Sequence, residues 1–302
     1  MARTLDTTPA EAEAPAARSG LRFRQSAGRQ HHAGPLTYVL LAVAAFVSLF
    51  PLYWNVVAAS HTGERVVEAP APLLPGKRLL DNLSFAWNQV DMGEALINTT
   101  IVASLVALST VLFSTLAGFA FAKLPFKGRG MLLSLVVATM TIPPQLSVIP
   151  LYQIITDLGW FDQLQSVVLP SLVAAFGVFF MRQFLVEALP MELVEAARMD
   201  GAHSLRIIWH VVFPIARPAM AVLGMLVFVQ AWNDFFWPFI ALTPDGSPTL
   251  QVALAGLGAG NHTVDHSIVL TGALISTVPL LLVFAFLGKH IVGGITAGAV
   301  KS

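Results

Sequence analysis

The chain has 302 residues, of which 56% are apolar and only 11% charged, with a formal net charge of zero and no cysteine. Soluble domains carry about 25% charged residues, so this balance excludes an ordinary soluble protein and indicates a polytopic membrane protein; zero net charge argues against a nucleic-acid partner. Without cysteine there is no disulfide, no thiolate metal site and no cysteine nucleophile.

Residues 1–34 are rich in Ala, Pro, Thr, Glu and Arg and hold too few large apolar side chains to build a core, so they read as a disordered tail. The first apolar run begins too late and is too long for a signal peptide. Residues 35–302 carry six apolar segments, 36–59, 95–122, 131–155, 164–181, 218–242 and 267–288, each long enough to cross a bilayer, the fourth only just. The expected fold is therefore all-α, with six transmembrane helices. If the N-terminus is inside, only Arg65, Lys77 and Arg78 of the 17 Lys and Arg residues fall outside, which predicts that both termini are cytoplasmic.

The first outer loop, 60–94, mixes Pro, Gly and acids around Phe85 and Trp87, as a surface for an external partner or a packed connection would. Segment two offers Ser104, Ser114, Thr115, Ala117 and Gly118, small residues that let helices approach closely in lipid. In segment three, T-M-T-I-P-P-Q from Thr139 to Gln145 contains tandem prolines, Pro143 and Pro144, which lack amide hydrogens and must kink or break the helix. Irregular backbone at membrane depth is tolerated only against protein or a wet cavity, so this break is expected to border a pathway.

Between segments four and five lies a charged island, residues 182–217. Pro190, with Glu192 just after it, starts a helix on which Leu193, Val194 and Ala197 line one side and Glu192, Glu195 and Arg198 much of the other. Asp200-Gly201 stops it. A second amphipathic helix is predicted from His203, with Leu205, Ile208, Trp209 and Val212 on its apolar side, as far as Pro214. A helix lying on lipid would show similar amphipathy but has no need of the Gly201 turn or of the acids.

Glu195-Ala196-Ala197, Gly201 six positions after the glutamate, then nine residues, Val211 and Phe213-Pro214 resemble the E-A-A loop of ABC-importer permeases. The resemblance implies that Glu195, Ala196, Ala197, Asp200, Gly201 and Pro214 belong to a coupling helix that docks in a cleft of a cytoplasmic ATPase. Small residues would let the partner approach the backbone, and Glu195 would offer it a charge.

Segment five carries Q-A-W-N-D-F-F-W-P from Gln230 to Pro238. In a continuous helix Gln230 and Asp234 would be one turn apart, with Asn233 beside them and Trp237 on the next turn. A membrane-centre charge costs about 2.5–3.5 kcal/mol on insertion scales, so Asp234 is expected near an outer end, in a cavity or in a hydrogen-bonded pair. Amides and a carboxylate read hydroxyls and aromatic faces cover sugar rings, so this wall suits a hydroxyl-rich ligand. The other reading makes Asn233 and Asp234 an interhelical clamp and Trp232 and Trp237 interfacial belt residues. This run, Asn98-Thr99, A-F-A-K-L-P-F-K-G-R-G from Ala120 to Gly130, and the tail Gly293–Lys301 resemble the carbohydrate-uptake branch.

Other signals carry less. Gly256, Gly258 and Gly260 have no strand before them, and no G-x-x-x-x-G-K-[ST] occurs, so the chain itself is not expected to bind ATP. His262 and His266 beside Asp265 would make a metal pair only if helical. The resemblance implies a non-catalytic permease subunit in the cytoplasmic membrane, carrying a sugar or oligosaccharide. Its partners would be a second related permease, two cytoplasmic ATPases holding ATP and Mg, an external substrate-binding protein and the lipid bilayer. A permease for another small solute, such as a polyamine, stays open. An ion-coupled transporter would want several intramembrane ionisable groups, and Asp234 is the only acid well inside a predicted segment.

Overall fold

The computed structural model describes residues 34–259 and 265–299, so the expected tail, Gly260, His262 and the last residues lie outside the described part. The chain divides into a unit ending at Leu49 and a unit beginning at Phe50, the boundary falling inside the first helix, α1 (Pro35–Ala59). The second unit continues with α2 (Gly63–Val67), α3 (Leu79–Gln89), α4 (Met92–Lys123) and α5 (Arg129–Thr139). A 3₁₀ turn at Pro144–Ser147 leads into α6 (Val148–Asp157). Then come α7 (Gln165–Val168), a second 3₁₀ turn, α8 (Ala175–Ala188), α9 (Met191–Met199) and α10 (Ser204–Ile207). A π turn, Ile208–Val212, joins α10 to α11 (Phe213–Trp232), followed by α12 (Phe236–Ala241), α13 (Leu250–Ala259) and α14 (His266–Ala299). Among the described residues all regular structure is helical.

Five helical runs are long and apolar enough to cross a membrane: α1, α4, Gln165–Ala188, Ser204–Trp232 and His266–Phe286. The pair α5 and Pro144–Asp157 passes the same test together but is bent by 92° where Pro143 and Pro144 stand, and makes a sixth crossing only when counted as one broken span. Two consecutive residues without amide hydrogens leave the α-helical ladder no way through, so α5 stops and a 3₁₀ turn restarts the chain in a new direction.

The second unit is organised around α4, which packs most extensively against α8 and α11. Close approach depends on small residues. A Cβ at Gly118 would stand 2.8 Å from the Arg182 nitrogen, and one at Gly177 would collide with the Ser114 hydroxyl. Ser114 and Thr115 are buried on the same helix, as the small-residue pattern anticipates. Asn98 and Thr99 hold the start of α13 against α4. Asn98 donates to Pro248 O at 3.1 Å, and the Thr99 hydroxyl accepts from the Leu250 amide at 2.7 Å.

Two expectations need correcting. The second island helix does not stop at Pro214; helix runs unbroken from Ser204 to Trp232. The π turn ends with Phe213 N–H reaching Ile208 O, and Pro214 follows in the first turn of α11, where its ring and missing donor are accommodated. Segment five is also not one helix across 218–242: α11 ends at Trp232, and a break over residues 233–235 precedes α12.

Candidate functional site

The residues singled out by sequence gather in two places. The first is the turn between α9 and α10. Pro190 caps α9 with φ −61° and ψ 141°, where no amide donor is required of it. At the other end, Ala202 N–H donates to Ala197 O at 2.9 Å and Gly201 N–H to Arg198 O at 3.0 Å, with Gly201 at φ +77°. This pair of bonds is a Schellman closure, which places a left-handed residue at Gly201 and satisfies carbonyls that the helix end would leave orphaned. A Cβ there would meet nothing within 4 Å. The backbone therefore demands glycine while the space around it stays open. His203 starts the next helix, its ring Nδ1 accepting from the Arg206 amide at 3.3 Å.

Leu189, Val194 and Ile207 anchor this loop in the main apolar core, each no more than 2% exposed. Glu195, Ala196, Asp200, Gly201 and Pro214 are exposed, and Ala197 is half-buried against the core. The apolar faces differ from those expected. Leu193, Leu205 and Trp209 are exposed, as is Met199 at 88%, whereas Ile207, Ile208 and Val212 are buried. On α9 the burial stripe is narrow, one residue wide at Val194. Beyond α10, the wide π turn shifts which residues share a face, so a 3.6-residue period misplaces Leu205 and Trp209.

The second place is a cavity of about 610 Å³ where the bend after α5, the α7–α8 connection, α4 and the break after α11 meet. Gln230, Asn233, Asp234, Trp237 and Pro144 line it; Pro143 does not. The expected helical stripe from Gln230 to Trp237 is absent, because the helix ends between them, yet the break brings the same side chains to one wall. Asn233 caps α11, its amide donating back to Val229 O at 2.8 Å. Asp234 stands in the break between α11 and α12, two residues before α12 begins. Among the described residues neither side chain ties one helix to another, and Asp234 has no cationic partner. The two indoles are not belt residues: Trp232 is 2% exposed and donates to Ser276 O at 3.2 Å, and Trp237 donates to Ser166 O at 2.9 Å.

One residue escaped sequence reasoning. Asp162, between α6 and α7, has φ +59° and takes the Thr243 amide and hydroxyl, both at 2.8 Å, and the Ser247 amide at 3.4 Å. Its own amide donates to Ala241 O at 2.9 Å. Burial pushes its pKa up, but these hydrogen bonds together outweigh that and hold the carboxyl below the usual value. With the Trp237–Ser166 bond, this tether fastens α12 to the α6–α7 connection, so the cavity rim is one piece. Among the described residues no group of three or more His, Cys, Asp or Glu could hold a metal.

The family model for the binding-protein-dependent transport system inner membrane component matches residues 111–296. The chain is 31% identical to the arabinooligosaccharides transport system permease protein AraQ of Halalkalibacterium halodurans, covering 86% of this chain and 94% of that one. It is 30% identical to the lactose transport system permease protein LacG of Rhizobium radiobacter, over 87% and 95% of the two chains. It is 29% identical to the sn-glycerol-3-phosphate transport system permease protein UgpE of Shigella flexneri, over 86% and 94%. In fold it matches a chain of a bacterial ABC transporter that imports the acidic polysaccharide alginate, with TM-score 0.71 and 24% identity over 84% of this chain and 94% of that one.

Proposed function

This chain belongs to the family of binding-protein-dependent transport system inner membrane components and is a multi-pass permease subunit of an ABC importer; from that premise we propose how its two sites divide the work. The loop around Gly201 is the contact for a cytoplasmic ATPase, and the cavity at Asp234 is this chain's share of the solute pathway. The solute is a sugar or oligosaccharide, as the names of the arabinooligosaccharide and lactose relatives suggest. The full assembly adds a second related permease, two ATPases that bind and hydrolyse ATP with Mg, and an external binding protein. Both termini are cytoplasmic, the side on which the exposed loop then lies.

The observation that carries this reading is the continuous helical run Ser204–Trp232. It begins three residues after Gly201 and ends one residue before Asn233, which with Gln230 and Asp234 lines the cavity. At about 1.5 Å per residue its 29 residues span roughly 40 Å. A rod of that length, gripped at one end by a partner that changes shape with ATP, delivers the displacement to the cavity wall at the other. Rigid-body rocking of this kind is what alternating access needs.

The test is purification of the tagged chain from its native membranes, with identification of what accompanies it, followed by reconstitution in liposomes. The expected result is co-purification of an ATPase and a second permease, and ATP-dependent uptake of a neutral oligosaccharide in the presence of the binding protein. A chain that purifies alone and moves a solute on an ion gradient would overturn the reading. Orientation is checked with single cysteines, since the chain has none of its own. Gly128→Cys and Ala202→Cys should be shielded from an impermeant thiol reagent in intact cells, and Gly258→Cys should label.

A further inference from the structure

We infer that Asp234 makes this chain's half of the pathway selective for charge, admitting uncharged or amine-bearing polyhydroxylated solutes and opposing anionic ones; the inference rests on the pathway reading above and extends it. Among the described residues, every polar group on the cavity wall is neutral except one. Gln145, Ser171, Gln230 and Asn233 offer amides and hydroxyls, Trp237 offers an aromatic face, and Asp234 alone carries charge. Among the described residues, no Lys, Arg or His lines the cavity. A phosphate ester or a uronate would therefore meet a carboxylate with no cation from the described residues of this chain to offset it.

The same bias extends beyond the cavity. The sequence contains no Lys or Arg between Arg129 and Arg182, and none between Arg217 and Lys289. A stretch without fixed cations beside a carboxylate disfavours anions more than cations. The names of related permeases cover both cases, lactose and arabinooligosaccharides on one side and sn-glycerol-3-phosphate on the other. The lining residues of this chain favour the first.

The cavity's charge can be read without knowing the solute. In the assembled transporter in liposomes, Ser171→Cys gives a single thiol in this chain on the cavity wall. Its rates of reaction with a cationic and an anionic methanethiosulfonate of similar size are measured by mass shift of this chain and normalised to a small free thiol. The expected cation-to-anion ratio is at least about tenfold above that of the free thiol, as a fixed charge acting on reagents of opposite sign requires. Asp234→Asn in the same background should remove most of that excess, and Asp234→Glu should retain it. A Ser84→Cys control on exposed α3 should change little with Asp234→Asn. A ratio near that of the free thiol with Asp234 intact, or one unchanged by Asp234→Asn in properly assembled transporter, would overturn the inference. Uptake of sn-glycerol-3-phosphate as fast as lactose by the wild-type assembly would overturn it too, while leaving the permease reading in place. A preserved cation preference without uptake of either solute would count against the sugar assignment and still support the charge selection.

Discussion

The two ends of the run Ser204–Trp232 are built on opposite principles. At the Gly201 end the backbone is closed on itself by Schellman bonds and the surface is left bare: Ala196, Asp200 and Gly201 are exposed, and nothing lies within 4 Å of where a Gly201 Cβ would stand. At the Trp232 end the helix is held from within. Trp232 is buried with its indole bonded to Ser276 O, and the break that follows is fixed by Trp237 on Ser166 O and by the Asp162 tether to Thr243. An end closed locally and bare outside suits being gripped by another protein. An end shaped by distant parts of the same chain suits making a cavity. Substitutions at the two ends should therefore fail differently.

The sharpest way to break the contrast is Gly201→Val. A β-branched residue at φ +77° costs on the order of 1–2 kcal/mol of backbone strain, and its bulk enters the space proposed for the ATPase. We expect the chain to insert and accumulate as wild type, with coupled uptake reduced roughly tenfold or more, as the loss of a contact worth about 1.4 kcal/mol would give, and less ATPase retained on purification. Glu195→Lys should act in the same direction through charge alone. Asp234→Asn is the counterpart at the other end. Uptake should fall several-fold while the amounts of bound ATPase and second permease stay unchanged. If instead the variant fails to accumulate or loses its partner permease, Asp234 serves assembly with the second permease and not the pathway.

Asp162→Asn should have a smaller effect, on the stability of the cavity rim. A carboxyl whose folded pKa lies below its unfolded value, about 3.9, contributes stability that is present above that pH and lost as pH falls through the folded value. Thermal unfolding of the purified transporter should thus show a shallower loss of stability on acidification in Asp162→Asn than in wild type, with lower stability at neutral pH. Glu187→Gln, exposed on α8 just before Pro190, should do least, within about 0.5 kcal/mol and with unaltered uptake.

What is legible in the sequence follows the same division. Pro190, the Gly201 turn and the break at Pro143-Pro144 are consequences of local backbone chemistry, and each stands where its residue types require. The exposure of Leu205 and Trp209 is not legible, because a π turn shifts the face without a signature in residue type. The stripe Gln230–Asp234–Trp237 reads as one helix in sequence; the helix ends at Trp232, and only the packing of α12 and α7 returns those side chains to a common wall. Asp162 gives no signal because its partners lie 81 and 85 residues away. Neighbouring-residue patterns cannot report a turn whose donors are supplied by another turn.

The central claim, that the Ser204–Trp232 run carries the state of the ATPase contact to the cavity, is tested by following the Ser171→Cys thiol in the reconstituted assembly through the ATPase cycle. With Gly201 intact, its labelling rate by a small neutral thiol reagent should change when ATP is trapped with vanadate. In Gly201→Val, compared at equal bound ATPase, that change should be lost. Equal ATP-dependent changes with and without the substitution, or none with Gly201 intact, would contradict the account.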